Sequence, residues 1–130
     1  MNISERAFEE YIESYLTSEE GGWTKATDAG YRSEESRGMA LDIITLTDFV
    51  KRTQPMAWRR LERVSNINPV KQFYKAFDNA VTQDGLISVL RHGFKHRGIS
   101  FRVCYFKPES ELNETAVDNY KKNICQCIRQ

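Results

Sequence analysis

Apolar residues recur along this chain at helical spacing through most of its length and at alternating spacing only near its end. Phe8, Ile12, Tyr15 and Leu16 form a first helical stripe, with Asn2 placed to cap it and Glu5 three residues on, so the pattern predicts a helix that ends before Gly21-Gly22. Between Glu19 and Gly38 the composition turns to Gly, Ser, Thr and Glu without periodicity. This predicts an irregular loop with a short extended piece around Tyr31. Thr45 followed by Asp48 reads as the N-cap pair of a short helix carrying Leu46, Phe49 and Val50, and Pro55 suits the first turn of the next. That next helix sets Ala57, Leu61 and Val64 on one side and Arg59, Arg60 and Arg63 on the others. Asn68-Pro69 opens a further helix, in which Phe73, Phe77, Ala80 and Val81 recur until Asp84-Gly85 stops it.

Leu86, Val89 and Leu90 continue for another turn or two. After a turn from His92 to Gly98 the period changes to two. Ile99, Phe101, Val103 and Tyr105 alternate with Ser100, Arg102, Cys104 and Phe106, predicting a strand that Pro108 ends. Asn113 is placed to cap a last helix, and Ile124 to Arg129 alternates as a second strand. The expected fold is a single, helix-rich α/β domain over residues 1–130, with helices followed by the first strands of a small sheet whose outer edge is open.

Composition narrows the class without naming a chemistry. A chain of 130 residues with 40% hydrophobic content is large enough to own a core, and no apolar run approaches the ~20 residues that span a bilayer. The N-terminal Asn-Ile-Ser-Glu-Arg stretch has neither the basic nor the apolar region of a secretory signal, so a cytoplasmic protein is expected. Three cysteines, Cys104, Cys125 and Cys127, are an odd number without metal-ligand spacing, which suits reduced thiols. Charge is the more telling feature. Residues 1–50 hold 11 acidic and 4 basic side chains, a net of −7, whereas residues 51–130 hold 7 acidic and 15 basic, a net of +8. Such a split yields either a cationic face for phosphates or an acidic front and a basic rear that pair within the fold.

Two segments, Leu41 to Trp58 and Gly85 to Pro108, carry a resemblance that composition does not. In order they contain Leu41-Asp42, an apolar helix, Thr53-Gln54-Pro55 with Trp58, then Gly85-Leu86, a basic Arg91-His92-Gly93 turn, and a strand ending Tyr105-Phe106-Lys107-Pro108. Glu5, Phe8, Glu9, Ile12, Leu16, Tyr31-Arg32, Leu112-Asn113, Tyr120, Asn123 and Arg129-Gln130 extend it over nearly the whole chain. The ordered set resembles the N-terminal region of the restriction (R) subunit of type I restriction-modification enzymes. The resemblance implies the helix-rich N-terminal portion of a restriction-endonuclease-like nuclease domain of the PD-(D/E)xK type. The complete subunit is then an ATP-dependent, DNA-translocating nuclease that cuts unmodified DNA in complex with methyltransferase and specificity subunits, using Mg2+ and ATP.

The nuclease motif itself is missing from these residues. No Asp or Glu is followed two residues later by Lys, and no Pro-Asp occurs. By resemblance the catalytic strands lie just past Arg129-Gln130, which would stand beside the active site. Glu5 and Glu9 match the family's two glutamates on the first helix and are candidate auxiliary metal-side carboxylates; equally, they favour a helix N-terminus through its dipole. Nothing in the chain calls for a cofactor of its own.

Gly93-Phe-Lys-His-Arg-Gly98 has the glycine spacing of a phosphate-binding loop, but Ile99-Ser100 stands where a lysine is required, which excludes an ATP site. His92 and His96 are four apart, yet Arg91, Lys95 and Arg97 would repel a metal cation. The cluster Arg91, His92, Lys95, His96, Arg97 and Arg102 is instead the candidate DNA-binding surface, with docking on a motor domain or a solvated turn as the alternatives. A free-standing DNA- or protein-binding module without catalysis is the competing reading of the whole chain.

Overall fold

The computed structural model describes residues 3–25, 42–65 and 67–127. The expected cap at Asn2, the extended piece at Tyr31 and the positions of Arg129 and Gln130 lie outside the described residues. Among the described residues, six helices and four short strands follow in order: α1 (Ile3–Leu16), β1 (Thr24–Lys25), α2 (Ile43–Thr53), α3 (Pro55–Val64), α4 (Pro69–Asp84), α5 (Leu86–His92), β2 (Phe94–His96), β3 (Ile99–Phe101), α6 (Glu114–Lys121) and β4 (Gln126–Cys127). The chain is thus helix-rich α/β. Its strands form two separate pairs, an antiparallel β2–β3 hairpin and a parallel β1–β4 pair.

The helix starts follow from side chains that satisfy the first free backbone N–H groups. Asp42, not Thr45, caps α2: its Oδ1 accepts from the Thr45 backbone N–H at 3.1 Å and its Oδ2 from the Thr45 hydroxyl at 2.8 Å. Thr45 is therefore the donor of the cap, and the helix begins one turn earlier than the Thr45–Asp48 pair suggested. Asn68 and Asn113 cap α4 and α6 by accepting from Lys71 and Ala116, as expected from their positions before Pro69 and Glu114.

The core gathers α2 to α5 over the hairpin, with Phe73 of α4 at its centre. The Phe73 ring lies 5.8 Å from that of Trp58, 5.5 Å from Phe94 and 5.2 Å from Phe101, the last edge-on. Phe94 and Phe101 are register partners across the hairpin and stack on each other. On α3 the buried pair is Trp58 and Leu61, whereas Val64 is largely exposed, so the inward face is rotated from the expected Ala57–Leu61–Val64 side. Trp58 carries more apolar area than Ala57 and Val64 and decides the rotation.

Strand pairing departs most from the alternating pattern. The expected turn from His92 to Gly98 holds the first hairpin strand, and ladder pairing ends at Phe101 instead of running on to Tyr105. The next residues are held by side chains that take a strand's place. Gln54 donates through Nε2 to the Arg102 carbonyl at 2.8 Å and accepts from the Arg102 N–H at 2.7 Å. Asn123 does the same for Tyr105, accepting from its N–H and donating to its carbonyl. Two amides thus satisfy backbone groups that an extended segment would otherwise leave unpaired. Of the second expected strand, Gln126–Cys127 pair among the described residues, and their partner is Thr24–Lys25 inside the stretch read as loop.

The α1 stripe is also unlike its expectation. Phe8 and Tyr11 are 64% and 70% exposed, and Ile12 and Tyr15 remain open to solvent as well. No helix among the described residues is long and apolar enough to cross a membrane.

Candidate nucleic-acid interface

The cationic cluster is built by one sharp reversal after α5. Gly93 closes that helix at φ +71°, and a Cβ there would lie 2.1 Å from the Phe101 carbonyl oxygen, so the turn needs glycine both for its dihedral and for its close approach to β3. The hairpin then closes through Arg97-Gly98, both at positive φ, as a two-residue loop matched to strand twist requires. These two glycines explain the spacing that imitates a phosphate-binding loop.

Arginine is an uncommon occupant of the first loop position, because a side chain at φ 50° is strained. Here the strain is offset by a bond. Arg97 Nη1 donates to the Val64 carbonyl at 2.8 Å, at the C-terminal end of α3. Arg102 Nη1 likewise donates to the Arg91 carbonyl at 2.9 Å, in the last turn of α5. Both guanidinium groups therefore sit where free carbonyls and the helix dipole favour a cation. They remain exposed and keep further N–H donors for a phosphate.

The other four members divide. Arg91, His92 and Lys95 are exposed, with Lys95 on the outer face of β2 opposite Ser100. His96 is half-buried, and its Nε2 has no hydrogen-bond partner among the described residues. Burial of the ring, helped by the neighbouring Arg97 guanidinium, holds this imidazole below its ordinary value of 6.5. It is therefore neutral at pH 7 and adds no charge. His92 ends a helix and His96 lies on a strand, so their four-residue spacing does not place them on one helical face.

The fold adds cations that spacing alone did not assign to this surface. The Arg97–Val64 bond sets the hairpin against the last turn of α3, where Arg60 and Arg63 are exposed. Arg59 is exposed on the same helix, with Glu62 as its acidic residue. The signal in the sequence was the run of arginines flanking an apolar stripe; the neighbouring hairpin was not legible, because it lies 33 residues away. Exposed cations thus stand at both ends of the hairpin, Arg60 and Arg63 near the turn that carries Arg97, and Arg91 beside Arg102 at its open end, and such cations suit a phosphate backbone.

Glu5 and Glu9 stand on α1, the first exposed and the second half-buried, and neither forms an ion pair among the described residues. Their neighbours Glu10 and Glu13 pair with Arg6 and Lys25 at 3.3 and 3.5 Å. Among the described residues no three of His, Cys, Asp and Glu converge as a metal-ligand group. Trp58 is a core residue, Tyr105 is half-buried, and Phe106 is largely exposed.

Comparison with family models, with curated proteins and with solved structures gives no match to this chain.

A second feature escaped the sequence reading altogether. An apolar cavity of roughly 670 Å³ lies between α2, α5, the segment after β3 and the end of α6, with Leu46, Phe49, Leu90, Val103, Tyr105 and Ile124 on its walls. Cys104 and Cys125 also line it. The Cys104 thiol donates to the Leu90 carbonyl at 3.3 Å, and burial pushes its pKa up, which disfavours the reactive thiolate. All three cysteines are free.

Proposed function

We propose that this chain is the N-terminal segment of the restriction subunit of a type I restriction-modification enzyme, supplying scaffold and a cationic DNA-facing surface to a nuclease domain of the restriction-endonuclease-like fold. The observation that carries the reading is the Gln54–Arg102 clamp, because it joins the two segments in which the resemblance resides. The glutamine of Thr53-Gln54-Pro55 pairs with the backbone of the strand that runs to Tyr105-Phe106-Lys107-Pro108. Other matching positions are fold-setting as well. Asp42 and Asn113 cap helices, Asn123 clamps Tyr105, Trp58 fills the core, and Gly93 allows the close turn. Resembling positions that fix one another's places are what a shared fold would preserve.

In this reading cutting, translocation with ATP and Mg2+, and association with methyltransferase and specificity subunits belong to the complete cytoplasmic enzyme. A stand-alone DNA-binding module is the second reading, favoured by a cationic surface whose members all lie within the described residues. Under both, duplex DNA should bind weakly and without sequence preference. Each neutralised phosphate contributes about −0.9 to the slope of log affinity against log salt, so three or four contacts give roughly −3. Arg91→Ala with Lys95→Ala, which spares the two helix-capping arginines, should move the slope to about −1. An unchanged slope in that double variant would remove the DNA reading.

Catalysis by these residues alone is not expected. Phosphodiester hydrolysis needs a metal held by converging carboxylates, and magnesium gives up its waters reluctantly to a single one. Supercoiled plasmid with magnesium or manganese should remain intact in the presence of the purified 130-residue chain. Cleavage that Glu5→Ala or Glu9→Ala abolishes would mean that a metal site is assembled here after all.

A further inference from the structure

We propose that two copies of this chain associate by seating the aromatic stripe of α1 from each copy in the apolar cavity of the other. The inference is independent of the nuclease reading and rests on two apolar surfaces, one exposed and one concave, of opposite surrounding charge. The first is the stripe Phe8, Tyr11, Ile12 and Tyr15, spaced i, i+3, i+4 and i+7 on one side of a helix and open to solvent. Contiguous exposed apolar patches of this kind mark contact surfaces. The second is the cavity, whose roughly 670 Å³ falls in the range that encloses a bound group.

Among the described residues, α1 contributes nothing to the lining of the cavity. After α1 the backbone is pinned by Gly22 N–H to the Ser18 carbonyl at 2.9 Å and Trp23 N–H to the Leu16 carbonyl at 2.8 Å, and then by β1 pairing with β4. The aromatic side of α1 faces solvent in this arrangement. The occupant proposed is the stripe of a second copy.

Charge selects α1 as that occupant. Glu5 and Glu9 lie at the N-terminal end of the stripe with no ion pair among the described residues. Lys107 lines the cavity, and Lys121 and Lys122 are exposed beside its lining residues Tyr120 and Asn123. Asp42 also lines it, but both its oxygens accept from Thr45. Met56 and Ile67 flank a helix bearing Arg59, Arg60 and Arg63, which the lysine rim would repel, and Leu112, though between Glu111 and Glu114, is a single side chain and not a stripe of four along one helix. Reciprocal seating satisfies both copies at once and closes as a two-fold dimer.

Sedimentation equilibrium of the 130-residue chain over a wide concentration range tests this. Wild type should form a reversible dimer that weakens with salt. Phe8→Ser with Tyr11→Ser should be monomeric at unchanged helix content by circular dichroism, because these side chains are exposed in the monomer. Glu5→Lys with Glu9→Lys, and separately Lys107→Glu with Lys122→Glu, should each weaken the dimer tenfold or more. A chain carrying all four charge reversals should recover it. A wild type that stays monomeric, a Phe8/Tyr11 variant that dimerises as tightly as wild type through a strand edge, or a fourfold reversal that recovers nothing would each overturn the proposal.

Discussion

Phe73→Ala is expected to remove most of the chain's stability, lowering the unfolding free energy by about 3–5 kcal/mol. The side chain is fully buried and meets the rings of Trp58, Phe94 and Phe101, so truncation loses its transfer free energy and leaves a cavity walled by three rings. Those rings come from α3, β2 and β3, which have different attachments and cannot all close in on the void. Since domains of this size hold only about 5–15 kcal/mol in total, the variant should unfold at markedly lower urea concentration or be unfolded without it. Phe73→Leu, which keeps most of the apolar volume, should cost much less. A urea midpoint for Phe73→Ala close to that of wild type would show that the core is not centred on this ring.

Gly93→Ala is the second large effect expected, although it adds a single methyl group. The added Cβ would stand 2.1 Å from the carbonyl oxygen of Phe101, a backbone atom with no rotamer to change. Left-handed backbone costs an L-residue roughly 1–2 kcal/mol, and overpacking adds about 1–3 kcal/mol. Relief requires the hairpin to move away from α5. That movement would strain the Arg102–Arg91 bond and the cross-strand pair Phe94–Phe101. Stability measured by chemical unfolding should fall by several kcal/mol, and amide exchange in β2 and β3 should rise before that in α4. Gly98→Ala, at a turn with open space around the Cβ, carries only the dihedral strain and should fall much less. Equal losses at the two glycines would show that close packing at Gly93 is not the cause.

How much of this was legible in the sequence differs by element. The caps at Asn68 and Asn113, the helix of Phe73 and Phe77, and the exposed basic residues around Lys95 were all readable. Other readings failed for identifiable reasons. Thr45 reads as a cap because a hydroxyl before an apolar stripe is a good acceptor, but Asp42 lies three residues earlier and takes the Thr45 N–H instead. The strand to Tyr105 was overextended because period-two alternation records which side chains point inward, not whether a backbone partner exists. Arg97 and Arg102 were counted as free cations, since nothing local shows that they reach the ends of α3 and α5. His96 was grouped with them, and only the packed ring shows that it is neutral.

Most helix positions, the caps at Asn68 and Asn113 and the sign of the charge on each half were determined by the sequence itself, because helix hydrogen bonds and caps close within about four residues. Tertiary structure decided the rest. The Gln54 clamp spans 48 residues, and the β1–β4 contact at Thr24 and Cys125 spans 101. At such separations, a backbone group has many chemically equivalent partners, and the choice among them is made by packing of the whole core around Phe73. The same packing left α1 uncovered and the cavity open, and no local pattern records either, since exposure is a property of what the remaining chain does not reach.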